Sequence, residues 1–132
     1  PPSEDTISLK SRSASTRFRK IKQEVKLLIF DLRYTMLDIV QAVVMHYYKE
    51  TPDYKKAPEF LEKLVKEKKL EKKYVDKFVA LDKLWKDIDH NEIKEVTTEH
   101  LDQALKITED VIERMKKLLP KDFVGEELPK EM

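Results

Sequence analysis

The chain has 132 residues, of which 40% are hydrophobic and 40% charged, and its formal net charge is +1. A single domain with its own hydrophobic core is the default for this length. The absence of Cys excludes disulfides, thiolate zinc sites and a cysteine nucleophile, and the near-neutral total gives no sign of a generally basic nucleic-acid-binding protein.

Helix breakers are rare and confined to a few places. Gly125 is the only glycine, and the prolines stand at positions 1, 2, 52, 58, 120 and 129. Hairpins and phosphate-binding loops both need glycine, so β architecture and nucleotide-binding loops of the Walker or Rossmann type are disfavoured. The sequence predicts an all-α, up-and-down bundle of four to five helices.

The overall composition also bears on location and source. No run of 18 apolar residues is present, and residues 1–16 form a polar, basic segment without the pattern of a secretory signal. We expect a soluble, cytoplasmic protein. Abundant Lys and Glu beside one Asn (Asn91) and three Gln is a composition typical of thermophiles.

The segment from Ser8 to Gln23 is the one strongly single-signed stretch, because it contains basic residues and no acid. A basic arm that enters a helix can contact nucleic-acid phosphates, and it can equally be a flexible, solvated terminus. The residues that we select as nucleic-acid-binding candidates are Arg17, Arg19, Lys20 and Lys22.

Apolar residues from Phe18 to Val43 recur every three or four positions, which predicts a helix of about 30 residues. Residues 27–48 are apolar nearly all round, so packing on one face cannot cover them. We therefore expect this segment to be the central helix or a subunit interface. The prediction is a homodimer that uses residues 27–48 and the region of His90.

Three further helices follow in the sequence. Pro52 stops the first helix, and Pro58 lies near the first turn of the second. The apolar side chains of the third have helical spacing: Tyr74, Phe78, Leu81, Trp85 and Ile88. Thr97 is the candidate N-cap of the fourth, and Pro120 ends it. The bundle then spans 17–119, and 120–132 form a charged, frayed tail.

The chain has three histidines, and no two of them stand at the spacing of a helical metal site. The motif Asp87-x-x-His90 occurs once, whereas a di-iron bundle needs two such motifs and two more carboxylates. We expect neither a metal nor a cofactor.

The order of the helices and four segments carry a resemblance to a known family. The segments are LDIVQAVV at 37–44, APEFLEKLVKEKKLEKKYVDKF at 57–78, LWKDIDH at 84–90 and HLDQALKITEDVIERM at 100–115. Through this helix order and these segments, residues 17–119 resemble the HEPN superfamily. The likeness is greatest to the toxin halves of HEPN and minimal-nucleotidyltransferase pairs. The resemblance implies a homodimer that cleaves RNA without a metal, and a possible nucleotidyltransferase partner.

The family motif is an Arg, usually followed by Asn, four to six residues before a His, with a Tyr often two residues after it. Here Trp85 stands at the Arg, Lys86 at the Asn, His90 at the His and Glu92 at the Tyr. The resemblance implies that His90 is the acid–base group. Lys86 or Lys83 could supply a weak positive charge, although ammonium lacks the bidentate fork of guanidinium. The resemblance also implies that Asp38 lies toward the site around His90.

Two hypotheses of function follow. The first, which the Trp85 replacement favours, is a non-catalytic or weakly catalytic HEPN-like homodimer that binds RNA, a nucleotide or a nucleotidyltransferase. The alternative is a metal-independent endoribonuclease toxin of a toxin–antitoxin pair.

Overall fold

A computed structural model describes residues 1–125, and these contain four α-helices and no strand. The helices are α1 (Glu4–Tyr48), α2 (Ala57–Lys66), α3 (Lys72–Asp89) and α4 (Thr98–Lys116), followed by a 3₁₀ turn at Lys121–Phe123. Helix α1 packs against each of the other three. The prediction of an all-α helical bundle is confirmed. The part of the predicted tail at 126–132 lies outside the described residues.

None of the helices in residues 1–125 combines the length and the apolar character needed to cross a membrane.

The first helix begins earlier than the periodicity predicted. It starts at Glu4 and not near Phe18, so the boundary at 16/17 lies inside a continuous helix. The Ser3 hydroxyl accepts a hydrogen bond from the Thr6 N–H at 3.2 Å, and Glu4 and Asp5 lie in the first turn, at the positive end of the helix dipole. The start of α1 was missed because this part of the helix buries no side chain and its apolar residues form only a sparse stripe.

One hydrophobic core joins all four helices. Its fully buried larger side chains are Ile29, Met36, Val40, Val43, Val44, Leu61, Leu64, Phe78, Leu81, Val111 and Met115. Five of them come from the apolar tract that we expected to be central. The opposite side of that tract is not covered within the chain, since Leu27, Tyr34 and Met45 remain 49%, 50% and 48% exposed.

The residues predicted to be buried on α3 and α4 need correction at a few positions. On α3 the buried residues include Val75 and Leu84, while the predicted Tyr74 and Trp85 are only half-buried. The Trp85 ring packs at the edge of the core, with its centroid 4.7 Å from that of Phe30. On α4, helical spacing predicts that Leu105 belongs to the apolar stripe with Leu101 and Thr108, yet Leu105 is 47% exposed. Helical spacing identified the correct side of each helix to within about one residue.

Polar contacts tie α1 to the third helix. The Arg33 Nε donates to the Asp82 Oδ1 at 2.8 Å, and both side chains are 16% exposed. The Arg33 guanidinium also lies over the Tyr54 ring, 3.8 Å from its centroid, and the Tyr54 hydroxyl donates to the Arg33 carbonyl. With the contact of Phe30 and Trp85, these contacts place the end of α3 beside the middle of α1.

The N-terminal part of α1 extends beyond the bundle. Helix α1 has 45 residues and α4 has 19, so α1 is longer by roughly 39 Å at 1.5 Å per residue. We call residues 4–24 the arm. No side chain of the arm is buried.

Candidate nucleic-acid interface

A cleft of about 490 Å³ lies where the base of the arm passes the turn between α3 and α4. The α1 side of the cleft carries Arg19, Lys22, Gln23 and Lys26. The turn contributes the remaining lining residues, both polar and apolar: Ile88, Asn91, Ile93, Lys94, Glu95 and Val96. The cleft therefore joins residues about 70 positions apart in the sequence.

The spacing of the cations follows from the helix period. Arg19, Lys22 and Lys26 stand at i, i+3 and i+7, which places them on one side of α1. Lys94 faces them from the turn, and Glu95 is the one carboxylate among the lining residues. Because Glu95 binds Lys22 at 3.0 Å, it leaves Arg19, Lys26 and Lys94 without a carboxylate in the cleft. Such a surface favours an anionic ligand.

The turn itself is shaped by Asn91, the only Asn of the chain. Its φ of 60° lies in the left-handed region, which Asn tolerates better than most residues. The Asn91 N–H donates to the Ile88 carbonyl at 3.2 Å, and the Ile93 N–H donates to the Asp87 carbonyl at 3.0 Å. These bonds satisfy the last carbonyls of α3 and turn the chain back toward α1.

The helix that follows begins with a side-chain cap. His100 Nδ1 accepts a hydrogen bond from the Thr97 N–H at 3.0 Å, so α4 begins at Thr98 with Thr97 as its N-cap. The Thr97 prediction is confirmed. His100 thus has a structural role at the far side of the turn.

The structure divides the predicted nucleic-acid-binding residues into two groups. Arg19 and Lys22 line the cleft, whereas Arg17 and Lys20 do not. Sequence reasoning missed Lys26 and Lys94. The spacing of Lys26 from Arg19 and Lys22 could have revealed it, because three cations at i, i+3 and i+7 share a helix side. Nothing in the sequence placed Lys94 near the arm.

His90 lies next to the cleft and not among its lining residues. It is the C-cap of α3, its backbone N–H donates to the Lys86 carbonyl at 2.9 Å, and its side chain is 68% exposed. The nearest carboxylate oxygen, from Asp89, is 4.0 Å from its Nε2. The ring is therefore neither oriented by a strong hydrogen bond nor screened from water.

The two lysines predicted to aid catalysis are both engaged in ion pairs on α3. Lys86 Nζ lies 3.0 Å from an Asp82 oxygen, and Lys83 Nζ lies 2.7 Å from an Asp87 oxygen. The hydrogen bond to Asp87 raises the pKa of the Lys83 ammonium, which stays charged and paired. Lys83 thus has a carboxylate of its own, whereas Lys86 shares Asp82 with Arg33.

Asp38 is exposed on α1, well away from His90. The cleft places the end of α3 beside Lys26, and Asp38 is 12 residues further along the same helix, roughly 18 Å at 1.5 Å per residue. The structure does not bring Asp38 and His90 together.

Within residues 1–125, no three His, Asp or Glu side chains converge as a metal site requires. Comparison with known proteins adds no relative: no family model, no curated protein and no solved structure matches the chain.

Proposed function

We propose that this chain is a non-catalytic RNA-binding module that holds the phosphate backbone in the cleft between the arm and the α3–α4 turn. The observation that carries the proposal is the convergence of Arg19, Lys26 and Lys94 in one cleft with a single carboxylate, which is already paired with Lys22. A chain of phosphates can contact several such cations at once, and each contact releases counterions.

The shape of this surface favours a polymer over a single nucleotide. The cations follow α1 along two helical turns, and the exposed arm extends the same basic side further with Arg12, seven residues before Arg19. The described cleft has no aromatic side chain on which a base could stack, so backbone contacts dominate and sequence preference is weak.

The alternative, an endoribonuclease, has less support. Cleavage needs an oriented acid–base group and a positive charge that is free to stabilise the phosphorane-like transition state. His90 is solvent-exposed, and Lys83 and Lys86 are bound to carboxylates. For that reason binding without chemistry is the function that we propose.

The HEPN resemblance is part of this proposal, and it brings two partners with it. One is a second copy of the chain. The other is a minimal nucleotidyltransferase. Co-purification of the chain with a nucleotidyltransferase encoded beside it tests the second partner directly.

Fluorescence anisotropy with a labelled single-stranded RNA, measured over a series of salt concentrations, tests RNA binding. The double variant Arg19→Ala, Lys26→Ala removes two cations from the cleft. If both contact phosphates, the salt slope falls by about 1.4, since each single-strand contact contributes roughly 0.7.

The matched control is Arg17→Ala, Lys20→Ala, which removes the same charge from the same helix outside the cleft. We expect its salt slope to stay within about one contact of the wild type. Equal effects of the two double variants would show that the arm acts only through its total charge. Binding without salt dependence would exclude the proposal.

A cleavage assay separates the two functions. The wild type and His90→Ala should be equally inactive on single-stranded and structured RNA. The family motif is then restored with Trp85→Arg, Lys86→Asn in a protein shown by melting to be folded. A gain of activity that His90→Ala abolishes supports the degenerate HEPN site, and cleavage by the wild type that needs His90 supports the enzyme.

A further inference from the structure

The arm carries an unpartnered apolar seam. Its positions alternate in steps of four and three, as in the a and d positions of a coiled coil: Ile7, Ser11, Ala14, Phe18, Ile21 and Val25. Ile7, Phe18 and Ile21 are 60%, 59% and 55% exposed. Three large apolar side chains in register along one solvent-facing stripe are more than the scattered exposure of an ordinary surface.

The seam continues the side of α1 that faces the core. Val25 lies between the exposed Ile21 and the buried Ile29, and it packs against the core cluster. Helix α1 therefore uses one stripe throughout, with the bundle covering its C-terminal part and nothing in residues 1–125 covering its N-terminal part. Most helical stability in proteins comes from packing of an apolar face, so a partner for the seam would stabilise the arm.

We propose that the seam is covered by the arm of a second copy of this chain, in an antiparallel pair. In a parallel pair the two bundles, which lie on the seam side of α1, would collide at the same height. An antiparallel pair places the bundles at opposite ends of the joined arms. It also allows Phe18 to face the partner's Ala14, and Ile21 to face the partner's Ser11.

Charge decides between the same two orientations. In the antiparallel register, Lys10 lies beside the partner's Glu24, and this pair occurs twice because of the two-fold symmetry. The one like-charged pair in that register is Arg17 with the partner's Arg17. In a parallel pair, Arg17 would lie beside the partner's Lys22 twice, and Lys10 would face Ser15, so repulsion would dominate.

This inference does not rest on RNA binding. Arg19 and Lys26 occupy outer positions of the same heptads and point away from the seam. The dimer is therefore tested without RNA, and its failure leaves the proposed cleft untouched.

Sedimentation velocity at concentrations from about 1 to 100 μM measures the self-association of the full chain. We expect a mass near twice the 15.7 kDa of one chain. Phe18→Glu places a charge on the seam and should shift the protein to monomer. The control Leu9→Glu changes a residue of similar exposure, 64% against 59%, on the other side of the arm and should leave the dimer intact.

A charge-reversal cycle tests the orientation. Lys10→Glu and Glu24→Lys should each weaken association at least tenfold at low salt, and the double variant should recover most of the loss. A wild type that stays monomeric at 100 μM, or equal effects of Phe18→Glu and Leu9→Glu, would overturn the seam. Single reversals without recovery in the double variant would overturn the antiparallel pair. All variants change exposed side chains, and circular dichroism confirms their folding.

Discussion

Asn91 has a backbone conformation that few residues adopt easily. Its φ is 60°, and a side chain with a Cβ in this region costs roughly 1–2 kcal/mol when nothing compensates. We expect Asn91→Gly to leave stability unchanged or slightly higher. Asn91→Val should lower the free energy of unfolding by about 1–2 kcal/mol, because a β-branched residue fits this region worst. Chemical denaturation of the two variants checks this, and equal stabilities would contradict the described turn.

Asp82 interacts with cations from two helices, accepting a hydrogen bond from Arg33 and forming an ion pair with Lys86. Arg33 binds one of its oxygens at 2.8 Å and Lys86 the other at 3.0 Å, and the Asp82 side chain is 16% exposed. Asp82→Ala leaves the Arg33 guanidinium without its carboxylate, so we expect a loss of about 1.5–3 kcal/mol.

The control for this prediction is Asp87→Ala. Asp87 also pairs with a lysine one turn away, but that lysine, Lys83, is 72% exposed. An exposed pair of this kind contributes little. Urea unfolding should therefore show a much larger loss for Asp82→Ala than for Asp87→Ala, and equal losses would contradict a structural role for the Arg33 pair.

At the scale of the helices, the ends of α1 and α2 are joined by a hydrogen bond from the Tyr48 hydroxyl to the Glu67 carboxylate. This bond lowers the pKa of Glu67. Burial, followed by the same bond, raises the pKa of the Tyr48 hydroxyl, which stays protonated as the donor. The contribution of the bond is present above the ordinary carboxyl pKa and is lost as the pH falls through the lowered one.

The variant Tyr48→Phe should consequently be less stable than the wild type at pH 7, and the difference should disappear toward pH 3. Tyr47→Phe is the control, because the Tyr47 hydroxyl donates to the Leu118 backbone carbonyl at 3.0 Å and a carbonyl does not titrate. Its effect should be the same at both pH values. Thermal melting across the pH range measures both, and a Tyr48→Phe difference that persists at pH 3 would contradict the role of Glu67.

Sequence patterns predicted the helix ends correctly where packing or capping requires particular residue types. Pro58 and Thr97 lie in the first turn of α2 and at the N-cap of α4, as predicted. The start of α1 could not be found in the same way, since the arm packs on nothing in the described chain and shows only a sparse seam. Trp85 was placed deeper than it lies, because a spacing of three or four cannot separate it from the adjacent Leu84.

At the scale of the whole molecule, the sequence indicated the two segments that form the candidate site but not that they meet. The basic segment of α1 was visible in the sequence, and so was the unusual stretch around His90. Their meeting in one cleft depends on how α3 crosses α1, which the Phe30–Trp85 and Arg33–Asp82 contacts determine. No local pattern encodes that crossing, so Lys94 was missed, and it was the family resemblance alone that implied a position of Asp38 toward the site.

The final prediction concerns what the arm contributes to the fold. Because residues 1–16 have no buried side chain, their deletion should leave the bundle folded. Arm pairing would itself add stability at high concentration, so the deleted chain is compared with full-length Phe18→Glu, which we expect to be monomeric. The two should have the same free energy of unfolding to within about 0.5 kcal/mol.

A substitution in the hydrophobic core shows how large a real loss of unfolding free energy is. Leu81 is fully buried, and Leu81→Ala in the deleted chain should cost about 2–5 kcal/mol through lost contacts and a residual cavity. If instead the deletion itself costs as much as Leu81→Ala, the arm must pack against the bundle in solution. The seam would then be occupied within one chain, and an antiparallel pair of arms could not form.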